Sequence, residues 1–440
     1  MQSFREYYDE MNGIAEGCCA GGTKTTLDEI LAWNNSLTLL ESWYPNMDPT
    51  NKGRHGSSIP KEGGRILQKR EGIREMRGGG RGGIGSKGSS DRCSAFMATG
   101  DYTKDGKIVL AHNTFDDFIT GQYTNVILDM HCTSSGHRLL MQTSPGFMWS
   151  GTDFAISSHG IVMTETTIGG FVPYENNYPI SCRIRKAMQY GTTLDECVKI
   201  LLDGNSGDYA NSWMFGDIRT NEILRIELGL KYHNIERTKS GYFVGFNATY
   251  DPRIRNLECV NSGFDDIRRH QGARRVRLTE LMEENKGKLT AELAKTLIAD
   301  HFDVYLNKIN PCSRTVCSHY DLDAREFMSQ SDRPKPFSAR GALDGCVADS
   351  NMLKRMSFWS RWGNSCGTSF RVDEFCKINK QWAYLQPYLN DRLRQPWTRF
   401  SMANGDKMKN PIKKGHHKKS HRRNTLTSNH TKKRTIKHRK

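Results

Sequence analysis

Residues 93–118 read CSAFMATGDYTKDGKIVLAHNTFDDF, and the fold is decided by this stretch. Apolar and β-favouring residues run through CSAFMATG, break at the turn signal KDG, and resume in KIVLAHNTF. The pattern predicts a hairpin of two strands. Such a hairpin returns the end of its second strand to the start of its first, so His112, Asn113 and Asp116 come back beside Cys93. A cysteine opening a strand is ordinarily a core residue. Its surroundings in the chain argue for something else.

Directly upstream, GGGRGGIGSKGSS at 78–90 is glycine-rich and lacks apolar periodicity, so it predicts a flexible linker whose backbone is open to cleavage. A linker normally joins two domains. If the Arg92–Cys93 bond is cut, however, Cys93 carries both a thiol and a free α-amino group. An α-amine has a pKa of about 7.7–8.0 and accepts a proton near neutral pH. One residue then supplies nucleophile and base. The thiolate attacks an acyl carbon, an acyl-thioester forms, and water or another acceptor releases it. The same attack on the preceding carbonyl explains self-cleavage.

Working outward, residues 1–45 predict helices: FREYYDEMNGIAEG mixes charged and apolar positions, and TTLDEILAWNNSLTLLESW offers a Thr cap before apolar residues at helical spacing. Downstream of the hairpin, strands are predicted at YTNVILDMH, HRLLMQTS, FAISS, GIVMTETTIGG, SWMFGDI, EILRIELGL, KYHNIERT and GYFVGFNAT. Helices are predicted at SCRIRKAMQYG with TLDECVKILLDG, and at ARRVRLTELMEENKG with TAELAKTLIADHFDVYL. Hairpin-spaced strands with helices inserted in blocks point to antiparallel sheets covered by helices. No fixed-period repeat suggests a solenoid or propeller.

Composition bounds the rest. The 440 residues are 36% hydrophobic and 10% aromatic, enough for a large core, and no apolar run approaches a membrane span. The start, MQSFREYYDEMNGIAEG, lacks the apolar stretch of a secretory leader, so a cytoplasmic origin is expected. The net charge is +16, yet the stretch 407–440 holds 14 Lys and Arg and no acid, which leaves the first 406 residues near +2. The charge therefore belongs to a disordered tail able to meet polyanions, an anionic membrane or an import receptor, and the body offers no specific nucleic-acid site. A solvated tail without a partner is an equal reading. Its histidines can collect metal without a fold to hold them.

The twelve cysteines show no paired CxxC spacing and read mainly as buried thiols, although Cys312, Cys317 and His319 lie close together in NPCSRTVCSHYDLD. The run GGGRGGIG lacks the strand, helix and Lys-Ser/Thr ending of a phosphate-binding loop. Asn247-Ala-Thr and Asn429-His-Thr match the glycosylation sequon, without a leader to make them used.

The nucleophile hairpin resembles that of the phospholipase B-like proteins and the related peptidase C45 acyltransferases, both of the N-terminal-nucleophile superfamily. The resemblance continues through SPGFMWSGTDFAISSHGIVMTETTIGG, DYANSWMFGD, GYFVGFNATYDPRIRN, CSRTVCSHYDLD and GALDGCVADS, and covers most of residues 5–400. EMNGIAEG with LDEILAWNN resembles the segment these families retain ahead of the nucleophile. The resemblance implies Cys93 as nucleophile, with His112 just before Asn113 helping to orient it. Bile-salt-hydrolase-like relatives have Arg-Asn-x-Asp here. The His-Asn-Thr-Phe-Asp of this chain favours the phospholipase B-like branch and leaves the role of Asp116 open.

Thr167 falls where relatives place a polar group near the substrate carbonyl. Asn211 matches the phospholipase B-like oxyanion position and Asn247 that of the C45 and bile-salt branches, and the choice between them stays open. Arg253 or Arg255 anchors a carboxylate or phosphate, or makes an ordinary surface ion pair.

The expectation is an α+β protein, a four-layer αββα sandwich of two antiparallel sheets. Its parts are a retained helical segment (1–77), a linker (78–92), a catalytic domain (93–405) and a basic tail (406–440). The expected activity is hydrolysis of acyl amides or esters, of small molecules or lipids, through a Cys93 thioester without metal or organic cofactor. The alternatives are transfer to an amine acceptor, or a retired hydrolase body serving a basic-tailed binding protein.

Overall fold

In the computed structural model, residues 4–43, 93–260, 262–324 and 336–402 are described; the glycine-rich linker, the Arg92 side of the expected cut and the basic tail lie outside them. The predicted hairpin forms from β1 (Cys93–Thr99) and β2 (Val109–Asp117), which pair antiparallel with Cys93 opposite Thr114 and Ala95 opposite His112. Every residue of β1 is buried. Its unbroken apolar run suits a central strand covered on both faces.

Seven further strands follow the predicted runs: β3 (Val126–Cys132), β4 (His137–Thr143), β5 (Phe154–Ser157), β6 (Ile161–Thr167), β7 (Asn211–Asp217), β8 (Glu222–Leu228) and β9 (His233–Thr238). They pair in chain order as one antiparallel meander. β10 (Gly241–Gly245) crosses to the other sheet and pairs with β1. That sheet is completed by β13 (Arg340–Ala342), β14 (Asp344–Asp349), β15 (Ser357–Trp362) and β16 (Thr398–Ser401), with β13 and β14 both on β2. A small hairpin, β11 (Phe302–Asp303) with β12 (Lys308–Ile309), stands apart.

Strand alternation builds the layers. Ala95, Met97 and Leu110 meet Leu140, Phe154, Val162 and Met214 between the sheets. Phe96, Ala98, Val109 and Ala111 face the other way, under α5 (His270–Glu284) and α6 (Ala291–Leu297). On the far face of the meander, Ile161, Met163, Trp213 and Phe215 pack with α1 (Arg5–Ala20), α2 (Leu27–Asn34), α3 (Ile180–Tyr190) and α4 (Leu194–Leu202). The order is helix, sheet, sheet, helix: the expected αββα sandwich.

Caps set several helix starts. Thr26 and Glu29 form a capping box for α2, and Thr193 and Thr290 cap α4 and α6. The helix predicted over TAELAKTLIADHFDVYL is shorter than expected. It ends at Leu297, and Phe302–Asp303 turns into the small hairpin because Asp303 is drawn into a buried ion pair with Arg314 at 2.6 Å. The strands after 340 had no predicted counterpart. No helix among the described residues is long and apolar enough to cross a membrane.

The N-terminal segment is part of the core. Tyr7, Met11, Ala15 and Ile30 are buried against the meander, and Glu10 pairs with the buried Arg185 at 2.9 Å. The Asn34 side chain accepts from Met148 N and donates to Gly146 O, at 2.8 and 2.9 Å. Burying each large apolar side chain is worth about 1.5–3 kcal/mol, and these sum across two helices. After a cut before Cys93, this segment is therefore expected to stay bound. Native gel filtration should show both pieces in one peak that denaturing electrophoresis resolves; an eluted catalytic piece lacking residues 4–43 would contradict it.

Candidate active site

Cys93 stands beside a close approach of the two sheets. Gly245, opposite Ala95, has no side chain to give: a Cβ there would lie 2.4 Å from Thr166 Cγ2 of β6. That close approach carries the chain beyond β10 to Asn247, whose φ of +64° is a left-handed conformation asparagine tolerates better than most residues. The Asn247 side chain then spans the sheets. Its Nδ2 donates to Thr167 O at 2.8 Å, while its Oδ1 accepts from Cys93 N at 3.3 Å and from Arg274 Nη2 at 2.8 Å.

Arg274, from α5, is fully buried and grips the start of β1. Its Nη1 donates to Cys93 O at 2.5 Å and to Ser94 Oγ at 3.1 Å, and its guanidinium lies over the Phe115 ring. The Cys93 thiol faces two acids. Asp153 Oδ2 and Glu165 Oε1 are each 3.9 Å from Sγ. Tyr209 OH bridges them, donating at 3.0 Å to Glu165 and lying 3.4 Å from Asp153, while Thr167 Oγ1 donates to it at 3.0 Å. All of these side chains are buried.

The other predicted residues divide. His112 is fully buried with its ring beside the thiol; Cys93, His112 and Asp153 each offer a metal-ligating atom, all within 4.8 Å of one another. Burial pushes the His112 imidazole down to about 3, so it is neutral at physiological pH and brings no positive charge to the thiol. Thr167 joins the site through Tyr209. Asn211 lies opposite Thr167 in register, so its side chain shares that face of the meander with Thr167 and Glu165. It is fully buried, and among the described residues neither amide atom has a hydrogen-bond partner.

Asn113 lies instead on the opposite face of β2. Its Oδ1 accepts from Ser94 N at 3.1 Å and its Nδ2 donates to Ile298 O, Val316 O and Ser365 Oγ. It fixes the strand that carries Cys93 and does not face the thiol. Asp116 sits past the start of β1, opposite Gly341, and pairs with Arg340 at 3.2 Å. Arg253 pairs with Asp251 at 2.6 Å and is half exposed. Arg255 donates to Thr249 O and Tyr250 O and stacks on Phe264. Asp116, Arg253 and Arg255 are therefore engaged elsewhere, and the substrate-binding role expected of the two arginines has no support in this geometry.

Sequence reasoning missed Asp153, Glu165, Tyr209 and Arg274. The first three lie inside stretches quoted for the resemblance, one residue among many polar ones. Arg274 follows Cys93 by some 180 residues, and no local pattern connects them.

Behind the hairpin, Asp344 of β14 accepts from Thr114 N at 2.8 Å and from Gln142 Nε2 at 2.6 Å, fully buried. Burial, with the Asp153 charge adding to it, pushes its carboxyl up to about 7. The folded state thus holds this proton more tightly than the unfolded chain, whose Asp titrates near 3.9. The linked stability is fully present below about pH 4 and is lost as pH rises through 7, roughly 4 kcal/mol in all. Asp344→Asn keeps an acceptor for Thr114 and is expected to flatten that dependence. Urea unfolding at pH 5 and 8.5 checks it, and equal slopes with pH in variant and wild type would count against the assignment.

No family model matches the chain. It is 29% identical over 313 residues to the Rattus norvegicus protein provisionally named phospholipase B-like 2, covering 62% of this chain and 53% of that protein. With the Mus musculus protein of the same name it shares 22% over 295 residues, 58% and 50% of the respective lengths. The chain thus spans about half the length of the curated relatives it matches. Among solved structures, it is similar to a mutant of the conjugated bile acid hydrolase from Clostridium perfringens. The TM-score is 0.39 at 11% identity, over 61% of this chain and 89% of that one. A second variant of the same hydrolase gives 0.35 at 10% identity, with the same coverage.

Proposed function

We propose that this chain is a cysteine hydrolase of the N-terminal-nucleophile type, cut before Cys93 and acting on acyl amides or esters through a Cys93 thioester. One observation carries the reading. The thiol, backbone nitrogen and carbonyl of Cys93 each meet their own buried polar partner: Asp153 and Glu165, Asn247, and Arg274. A core cysteine needs none of these. Burying so many polar groups around one small residue costs stability that a structural role does not repay.

The arrangement also divides the labour. Before the cut, Cys93 N is an amide and cannot act as a base, so the thiol proton goes to Asp153 or Glu165. The thiolate adds to the Arg92 carbonyl carbon, the C–N bond breaks, and the nitrogen takes up a proton as it leaves. Water then cleaves the resulting thioester, releasing the Arg92 carboxylate and restoring the thiol. In the mature protein the α-amine, held at Asn247 Oδ1, takes over as base. Asn247 is committed to that nitrogen and to Thr167 O, which leaves the Asn211 amide, unbonded among the described residues, as the donor for a developing oxyanion.

The names of the curated relatives favour lipid acyl esters as substrates. The basic tail is proposed to bring the body to anionic surfaces, where such esters reside. Intact mass of the purified protein under denaturing conditions tests the cut. Two polypeptides are expected, the larger beginning at Cys93. A single 440-residue chain that also forms no thioester with an activated acyl donor would end the proposal. Product analysis with added amine separates hydrolysis from transfer.

A further inference from the structure

Four side chains that the proposed reaction does not use converge on one point at the outer side of the nucleophile sheet. They are His301, Cys317, His319 and Cys366, and one ligating atom from each lies within 4.8 Å of all the others. His319 Nε2 is 3.5 Å from Cys317 Sγ and 3.4 Å from Cys366 Sγ. A tetrahedral zinc, with Zn–S of about 2.3 Å and Zn–N of about 2.0–2.1 Å, has S···N edges of about 3.5 Å. His301 packs edge-on against His319 with ring centroids 5.0 Å apart, and its Nε2 is buried.

The surroundings fit a metal as well. His319 turns its other ring nitrogen, Nδ1, to Asp321 Oδ1 at 3.3 Å, the outer carboxylate that commonly orients a ligating histidine. Cys317 is fully buried and His319 nearly so. We propose that these four residues form a closed zinc site of two cysteines and two histidines with a structural role. Two thiolates and two imidazoles select a borderline-soft ion, and four protein ligands leave no position for substrate.

The site's position explains what it would hold. Cys317 follows Val316, and Cys366 follows Ser365. Val316 O and Ser365 Oγ both accept from Asn113 Nδ2, whose Oδ1 receives Ser94 N. A metal joining Cys317 to Cys366 thus clamps the two loops that fix Asn113, and through it the strand bearing Cys93.

Elemental analysis of the full-length protein, expressed with added zinc and dialysed, should give about one zinc per chain. Cobalt exchanged into it should show the visible and thiolate charge-transfer bands of a tetrahedral thiolate site. Those bands should persist in Cys93→Ala, which separates this cluster from Cys93, His112 and Asp153. They should vanish in Cys366→Ser, which retains the histidine-rich tail. Wild-type protein that binds no cobalt with thiolate bands, or whose peptide map contains a Cys317–Cys366 disulfide, overturns the proposal.

Discussion

Cys93→Ala is expected to leave the chain uncut and to lower acyl release by on the order of 10⁴-fold or more, the scale on which removal of a covalent nucleophile acts. The substitution removes one buried sulfur and leaves the backbone nitrogen and carbonyl with Asn247 and Arg274. Stability should therefore fall by only about 1 kcal/mol, within reach of thermal unfolding. This separates lost chemistry from lost fold. Processing and turnover that persist in a folded Cys93→Ala protein would leave no role for the thiol.

Asn211→Ala should produce the second largest effect, a fall in turnover of about 10²–10³-fold. Its signature is in the stability. An amide that is fully buried with neither atom bonded among the described residues already bears its desolvation cost in the resting protein. Removing it should leave the melting temperature unchanged or slightly raised. Asn247→Ala is expected to behave differently, because it strips partners from Cys93 N, Arg274 and Thr167 O together and should destabilise as well as slow. Equal loss of stability in the two variants would place Asn211 among ordinary structural asparagines.

Most of the sheet architecture was legible because its strands alternate or run apolar between clear turns. β1 to β10 all fall on runs read as strands. The C-terminal strands were harder. β13 and β14 are short and rich in small or polar residues, and they are strands because β2, and for β14 also β15, offers a pairing partner. Cys93 could be singled out from one dimension, since linker, cysteine and hairpin are neighbours in the chain. Of its partners, Asn247 and His112 were named from the resemblance, while Asp153, Glu165 and Arg274 were not. Asn113 and Asp116 lie within four residues of His112, yet alternation turns Asn113 away and distance along β2 delivers Asp116 to Arg340. Cys317 and His319 were visible as a pair, but His301 and Cys366 reach them only through the fold.

If the chain is cut before Cys93 as proposed, the packing of residues 4–43 into the core carries a kinetic cost. As a single polypeptide, the protein folds in a first-order process, with α1 and α2 tethered to the sheet they cover. After cleavage the same packing must be rebuilt by two diffusing pieces, so recovery from denaturant becomes second-order and depends on protein concentration. Mature protein that is unfolded when dilute is then lost for practical purposes, while its precursor is not. Maturation would thus exchange reversible folding for kinetic persistence, a one-way commitment made when the bond before Cys93 is broken.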